Sequence, residues 1–210
     1  MITVTELLDK VGGLSAPSKM PCHGYSIPAA RCKTGRKMRA VKNSICSICY
    51  ALKGRYGFPN VQNALERRYK TIRGKSWVSD MVSAINRVEQ SGYFRWHDSG
   101  DLQSLSHFGN ICAIARLTPN VRHWLPTREY GMVREFIEKG GVIPENLTVR
   151  FSALMVDGAA PETLAKRLGV QVSGACASAF TCPASKQGNV CGTCRACWSR
   201  ETFNVTYKTH

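Results

Sequence analysis

The chain has 210 residues, 43% of them hydrophobic, which suffices for one substantial core and is ordinary for a globular protein. No apolar run approaches the length of a membrane span, and the opening MITVTELLDK lacks a signal-peptide core, so a cytoplasmic protein with no membrane partner is expected. The net charge of +15 is polarised: residues 1–75 carry fifteen Lys and Arg against three Asp and Glu, and the remaining residues fourteen against eleven. Such an excess points to a polyanion, nucleic acid first. Its centre, RCKTGRKMRAVK, offers Arg31, Lys33, Arg36, Lys37, Arg39 and Lys42 as phosphate-binding residues.

In chain order, residues 2–11 read as a short helix, and residues 12–45 as a loop-like region rich in Gly, Pro, Lys and Arg. Apolar spacing predicts helices over 60–72 and 76–90, the second capped by Ser76 and stopped by Gly92. The rhythm then alternates. Strands are expected over 93–97, 121–125, 147–154 and 170–173, with helices over 105–117, 130–139 and 161–168 between them. Short connections between alternating strands and helices indicate parallel β/α units. The fold class is therefore α/β. The length permits a reduced or irregular TIM-type β/α barrel, or an open sheet, followed by a cysteine-rich metal-binding C-terminal tail. We place a β/α domain with its basic N-terminal region over 1–175, and the cysteine-rich segment packed on it over 176–210.

Ten cysteines without a secretory signal favour metal or redox chemistry over disulfides. Cys112 sits alone in a helical pattern and reads as a core residue. CGTCRAC supplies Cys191, Cys194 and Cys197 at two-residue spacing, with Cys182 before them and His210 at the end. Four of these five ligands would hold zinc, or an all-thiolate set would hold zinc or an iron–sulfur cluster. A second group, Cys22, Cys32, Cys46 and Cys49, with one close pair in CSIC and irregular spacing otherwise, is a candidate second metal site, the alternative being thiols at a helix start or packed against the tail.

The stretch RWHDSGDLQSLS places Asp98 and Asp101 beside His97 at a strand end, where parallel β/α folds gather reactive residues. Helix capping explains one carboxylate, with a helix beginning near Ser104. Two neighbouring carboxylates shift each other's pKa and divide acid and base roles, so both are candidate catalytic groups. The next strand end gives Arg128 in PTRE, suited to a phosphate or carboxylate. The third gives Asp157, ranked lower because turn chemistry explains Asp-Gly.

Together these pieces resemble the queuine and archaeosine tRNA-guanine transglycosylases. Those enzymes carry a DSGGFQ-type motif, similar to Asp98–Gln103, then a PTR tripeptide, here Pro126-Thr127-Arg128, and then a zinc site of three cysteines and a distal histidine. The short chain with its basic N-terminal region looks most like the phage DNA-modifying relatives, the DpdA type. The resemblance implies exchange of guanine in DNA for a 7-deazaguanine base through an aspartyl-glycosyl intermediate, on a flipped or single-stranded target, in a host cytoplasm if the gene is a phage's. It implies a substrate-binding set of His97, Ser99, Gly100, Gln103, Thr127 and Arg128, with zinc as cofactor. Two positions depart from the pattern: Asp101 replaces a glycine, and Arg122 stands where the nucleophilic aspartate is expected, which leaves Asp98, Asp101 and then Asp157 as nucleophile candidates.

Two other readings stay open. Cys46-Ser47-Ile48-Cys49 before a helix, with Cys32 as a distant third ligand, is similar to the cluster motif of radical S-adenosylmethionine enzymes, whose cofactor is a [4Fe-4S] cluster. A zinc-stabilised nucleic-acid-binding protein without catalysis is the remaining class.

Overall fold

The computed structural model describes residues 2–209. His210, one of the predicted metal ligands, lies outside the described residues. Six parallel strands form one sheet in the order of the sequence: β1 (Gly24–Tyr25), β2 (Tyr93–Trp96), β3 (Arg122–Thr127), β4 (Leu147–Ser152), β5 (Gln171–Cys176) and β6 (Asn204–Lys208). Among the described residues no pairing returns from β6 to β1. The parallel β/α sheet is as expected; closure into a barrel is not shown by the pairings of the described residues.

The helices are α1 (Val4–Val11), α2 (Lys33–Met38), α3 (Pro59–Thr71), α4 (Trp77–Val88), α5 (Leu105–Leu117), α6 (Tyr130–Glu138) and α7 (Glu162–Leu168). Thr3 caps α1 in a reciprocal box with Glu6, and Gly12 ends it in the left-handed region. Pro59 starts α3 at a position where its missing N–H costs nothing. Ser76 does not cap α4: its backbone is already helical and its side chain makes no capping bond. Ser104 does cap α5, accepting from His107 N at 3.1 Å, so neither aspartate of the HDSGD stretch is needed there.

Alternation of side chains along each strand gives the sheet two unlike faces. One face carries Tyr25, Phe94, Trp96, Leu125, Val149, Phe151 and Val172, and the helices pack on it to make the main core. Cys112 of α5 lies in that core, 1% exposed. The other face carries Trp124 of β3, against which Cys22, Trp198, Tyr93, Cys197 and Tyr207 form a smaller cluster. The β5–β6 connection, residues 177–203, supplies Cys197 and Trp198, so it packs on the face opposite the helices. Trp198 Nε1 donates to Phe94 O at 3.0 Å, and Thr148 Oγ1 donates to Trp198 O at 2.8 Å. The cysteine-rich segment therefore serves as the last crossover, and its end returns to the sheet as β6.

Candidate active site

The carboxyl ends of β1, β2, β3 and β4 are held together by side chains of the HDSGD and PTRE stretches. Ser99 Oγ donates to Ile27 O at 3.0 Å, and Ile27 N donates to Ser99 O at 3.1 Å, docking the loop after β2 onto the segment after β1. Gly100 has a φ of +84°, and a Cβ there would meet Ile27 Cγ1 at 2.4 Å and Ile27 O at 2.6 Å. Glycine is required at this position for both reasons.

Asp101 ties this loop to the next. Its Oδ1 accepts from Leu102 N at 2.8 Å and from Thr127 Oγ1 at 2.6 Å, and its Oδ2 accepts from Arg128 N at 2.8 Å. The residue is 6% exposed, and burial pushes its carboxyl up to about 6 against those hydrogen bonds, with Glu129 raising it further. Both oxygens are committed, so Asp101 acts as a positioning residue that sets the Pro126–Glu129 turn. Gln103 Nε2 donates to Asp101 O at 2.8 Å and to Arg31 O at 3.3 Å, which places that amide in the backbone scaffold. Arg128 Nε donates to Ala153 O at 3.0 Å beyond β4. Glu129 accepts from Thr34 N at 2.7 Å and Thr34 Oγ1 at 2.9 Å, which anchors the start of α2.

Ionising Asp101 in the folded chain costs roughly 3 kcal/mol more than in the unfolded chain. A carboxyl raised on folding contributes stability that is complete below its unfolded value and disappears as pH rises through its folded value. We expect the stability of the wild type relative to Asp101→Asn to be greatest below about pH 4 and to decline as pH rises through about 6. Urea unfolding of both proteins across that window measures it. A difference that grows with pH would reject the assignment.

Asp98 differs in kind. Its Oδ2 accepts from Tyr56 Oη at 2.9 Å, its backbone carbonyl accepts from Tyr50 Oη, and its buried Oδ1 has no hydrogen-bond partner. Sequence reasoning missed these tyrosines because nothing in their spacing marks them. His97 has a φ of +53°, and its ring packs 5.5 Å from that of His107 on α5. Burial, His107 and Arg95 hold its pKa well below the usual histidine range, so the ring is neutral. Asp157 stands apart from both aspartates. It is exposed, accepts from Ala177 N at 3.0 Å, and borders a separate cleft of about 450 Å³ with Cys176 and Thr206. Arg122 lies at the amino end of β3, the end opposite the site.

Cys32, Cys46 and Cys49 gather over these strand ends. Backbone bonds from Ile45 N to Leu154 O and from Val156 N to Asn43 O lay residues 43–45 along the exit of β4. Gly35 keeps the space between two of the thiols open: a Cβ there would lie 2.9 Å from Cys32 Cβ, 3.6 Å from Cys46 Sγ and 3.7 Å from Cys32 Sγ. Burial raises the Cys32 thiol, and Asp101, Cys49 and Cys46 raise it further, while Arg39 opposes them. Burial raises Cys46 too, with Arg128 opposing and Cys49 and Asp101 adding to it. Such thiols ionise readily only when a metal supplies positive charge. Beside them a cleft of about 680 Å³ is lined by Thr34, Arg128, Tyr130 and Leu154.

Cys22 is separate from that trio. It lies before β1 in the cluster with Cys197, and Cys191 N donates to Lys19 O at 3.0 Å three residues away. Cys182 N donates to Thr206 O at 2.9 Å, and Cys197 Sγ lies 3.3 Å from Tyr207 Oη. Burial, with help from Glu89 and against Arg95, pushes Cys22 up to about 12, and burial pushes Cys197 up to about 11. Among the described residues no three His, Cys, Asp or Glu side chains converge as ligands of one metal ion.

A family model, Gene product 88, matches residues 3–200. The chain belongs to the Gene product 88 family. The matched span takes in both cysteine groups and both strand-end motifs, and it stops before β6. No curated protein and no solved structure matches the chain. No helix among the described residues is long and apolar enough to cross a membrane.

Proposed function

We propose that this member of the Gene product 88 family is an iron–sulfur enzyme of the radical S-adenosylmethionine type, with a [4Fe-4S] cluster on Cys32, Cys46 and Cys49. The observation that carries the reading is the gathering of these three thiols, from one segment after β1, over the carboxyl ends of a parallel sheet. Three protein thiolates leave one iron for an exchangeable ligand, as catalytic metal sites require. Cys32, Cys46 and Cys49 would hold such a cluster, which would supply the electron for reductive cleavage of a carbon–sulfur bond of S-adenosylmethionine. The chain's own part is to hold the floor of the site through Asp101 and Thr127 and to offset thiolate charge with Arg128 and Arg39.

Anaerobic reconstitution with iron and sulfide tests this. The expected protein is brown, carries iron and acid-labile sulfide, and with dithionite cleaves S-adenosylmethionine to methionine and 5′-deoxyadenosine. A colourless protein with zinc on this group overturns it.

Guanine/7-deazaguanine exchange in DNA is the second reading, and Asp98 favours it: a carboxylate with one buried oxygen free of partners suits a nucleophile. Labelled deazaguanine incorporated into DNA by iron-free protein would replace the first reading with this one. Under either reading, Cys182, Cys191, Cys194 and Cys197, now joined by Cys22, are proposed as a second thiolate metal centre that staples the β5–β6 connection to the chain before β1.

A further inference from the structure

We propose that residues 41–58 form a binding platform for single-stranded nucleic acid, which lays an unstacked base beside Asp98. The inference rests on the active-site reading for the site it feeds. Of the ten exposed large apolar side chains among the described residues, five fall in this segment: Val41, Ile48, Tyr50, Leu52 and Phe58, with Phe58 55% and Tyr50 51% exposed. Apolar side chains scattered singly on a surface need no explanation, but half of them in one short segment do. The surrounding charge is of one sign. Residues 31–58 contain eight Lys and Arg and no Asp or Glu. Lys33, Arg36, Lys37, Lys42, Lys53 and Arg55 are exposed, and none of them forms an ion pair among the described residues. Arg31 is occupied, with Glu66 at 3.4 Å.

Exposed aromatic rings set among unpaired cations match a strand whose phosphates and base faces are both available. A duplex buries its base faces in the stack, so it offers these rings nothing. The platform is fixed and leads to the site. Tyr50 and Tyr56 pack edge to face at 5.7 Å, and both hydroxyls end on Asp98. A base stacked on Tyr50 therefore lies next to the strand end that carries the candidate chemistry.

Fluorescence anisotropy of the full chain with a labelled oligothymidylate of about 12 nucleotides, and with its duplex, tests this. The single strand is expected to bind at least about tenfold tighter than the duplex, and Phe58→Ala to weaken it about tenfold with an unchanged Tm. Lys42→Gln with Lys53→Gln is expected to lower the slope of log K against log salt by about 1.4. Equal affinity for duplex and single strand, or wild-type affinity in both Phe58→Ala and Tyr50→Ala, overturns the proposal. The two readings fail separately. Strand binding by a protein that takes up no iron and sulfide on reconstitution leaves the platform standing and removes the cluster enzyme, whereas an iron-loaded protein that ignores the strand does the reverse.

Discussion

If the first cysteine group holds the proposed cluster, serine at Cys46 or Cys49 is expected to lower iron affinity there about tenfold or more. A serine hydroxyl stays protonated at neutral pH and is a harder donor than thiolate, so it does not replace the lost ligand. Two thiolates then remain where three are needed. Cys112→Ala is the control, because that thiol lies in the helix-side core, away from both groups. Gly35→Ala is the informative companion. It removes no ligand, yet its methyl would enter the space between the Cys32 and Cys46 sulfurs, and Cys32 Cβ at 2.9 Å would have to shift. It is expected to lower iron content while circular dichroism stays at wild type. Iron and sulfide analysis after anaerobic reconstitution gives the answer. The proposed second centre would serve as an internal reference, since a metal held by Cys22 and the residue 182–197 cysteines is expected to persist in these variants. Full iron at the first group in both serine variants would remove the cluster reading.

The strands and helices from residue 93 to 168 were legible because each buries a periodic apolar face; the helix expected over 105–117 is α5, residue for residue. The ends of the sheet were not. Strand β1 has only two residues, Gly24 and Tyr25, in a loop-like stretch, and it is a strand because it pairs with Arg95 and Trp96 some seventy positions later. Strand β6 is a half-exposed edge with polar residues, and nothing in NVTYK distinguishes it from a tail. Helix α2 is six residues long with a glycine inside and no apolar stripe, so no period announces it. That helix and the turn after it bring Cys32 to Cys46, a proximity that their irregular spacing left open. The carboxylates were legible as a pair but not as roles. Their division depends on Thr127 and the Arg128 amide reaching Asp101 from another strand, and on Tyr50 and Tyr56 reaching Asp98 from a loop.

Arg150→Met is expected to lower stability by roughly 3–5 kcal/mol. Arg150 sits in the middle of β4, fully buried, on the face opposite the helices. Its guanidinium donates to six carbonyls: Ala196 O at 2.6 Å, Ser199 O and Thr202 O at 2.8 Å, Cys197 O at 3.0 Å, Val172 O at 3.1 Å and Phe203 O at 3.2 Å. No carboxylate forms an ion pair with it among the described residues, so carbonyl dipoles carry the charge, and burial lowers its pKa. Five of those carbonyls belong to residues 196–203, where a single 3-10 turn, Ala196–Trp198, is the only helical structure. Methionine fills similar volume; Ala196 O keeps Ser199 N and Phe203 O keeps Val172 N, but Cys197 O, Ser199 O and Thr202 O lose the guanidinium, and each buried acceptor left unpaired costs on the order of 1 kcal/mol or more. For a chain of this length that corresponds to a Tm lower by about 10 °C. The effect should be concentrated in one place. Hydrogen exchange is expected to accelerate first in β6 and the β5–β6 connection, while α4 and α5 stay protected by the helix-side core. Lysine at this position offers three donors without the planar fork and should recover only part of the loss. A Tm within about 2 °C of wild type in Arg150→Met would mean the connection is held by its apolar contacts with Trp124 and Tyr93, or by its cysteines, and not by this guanidinium.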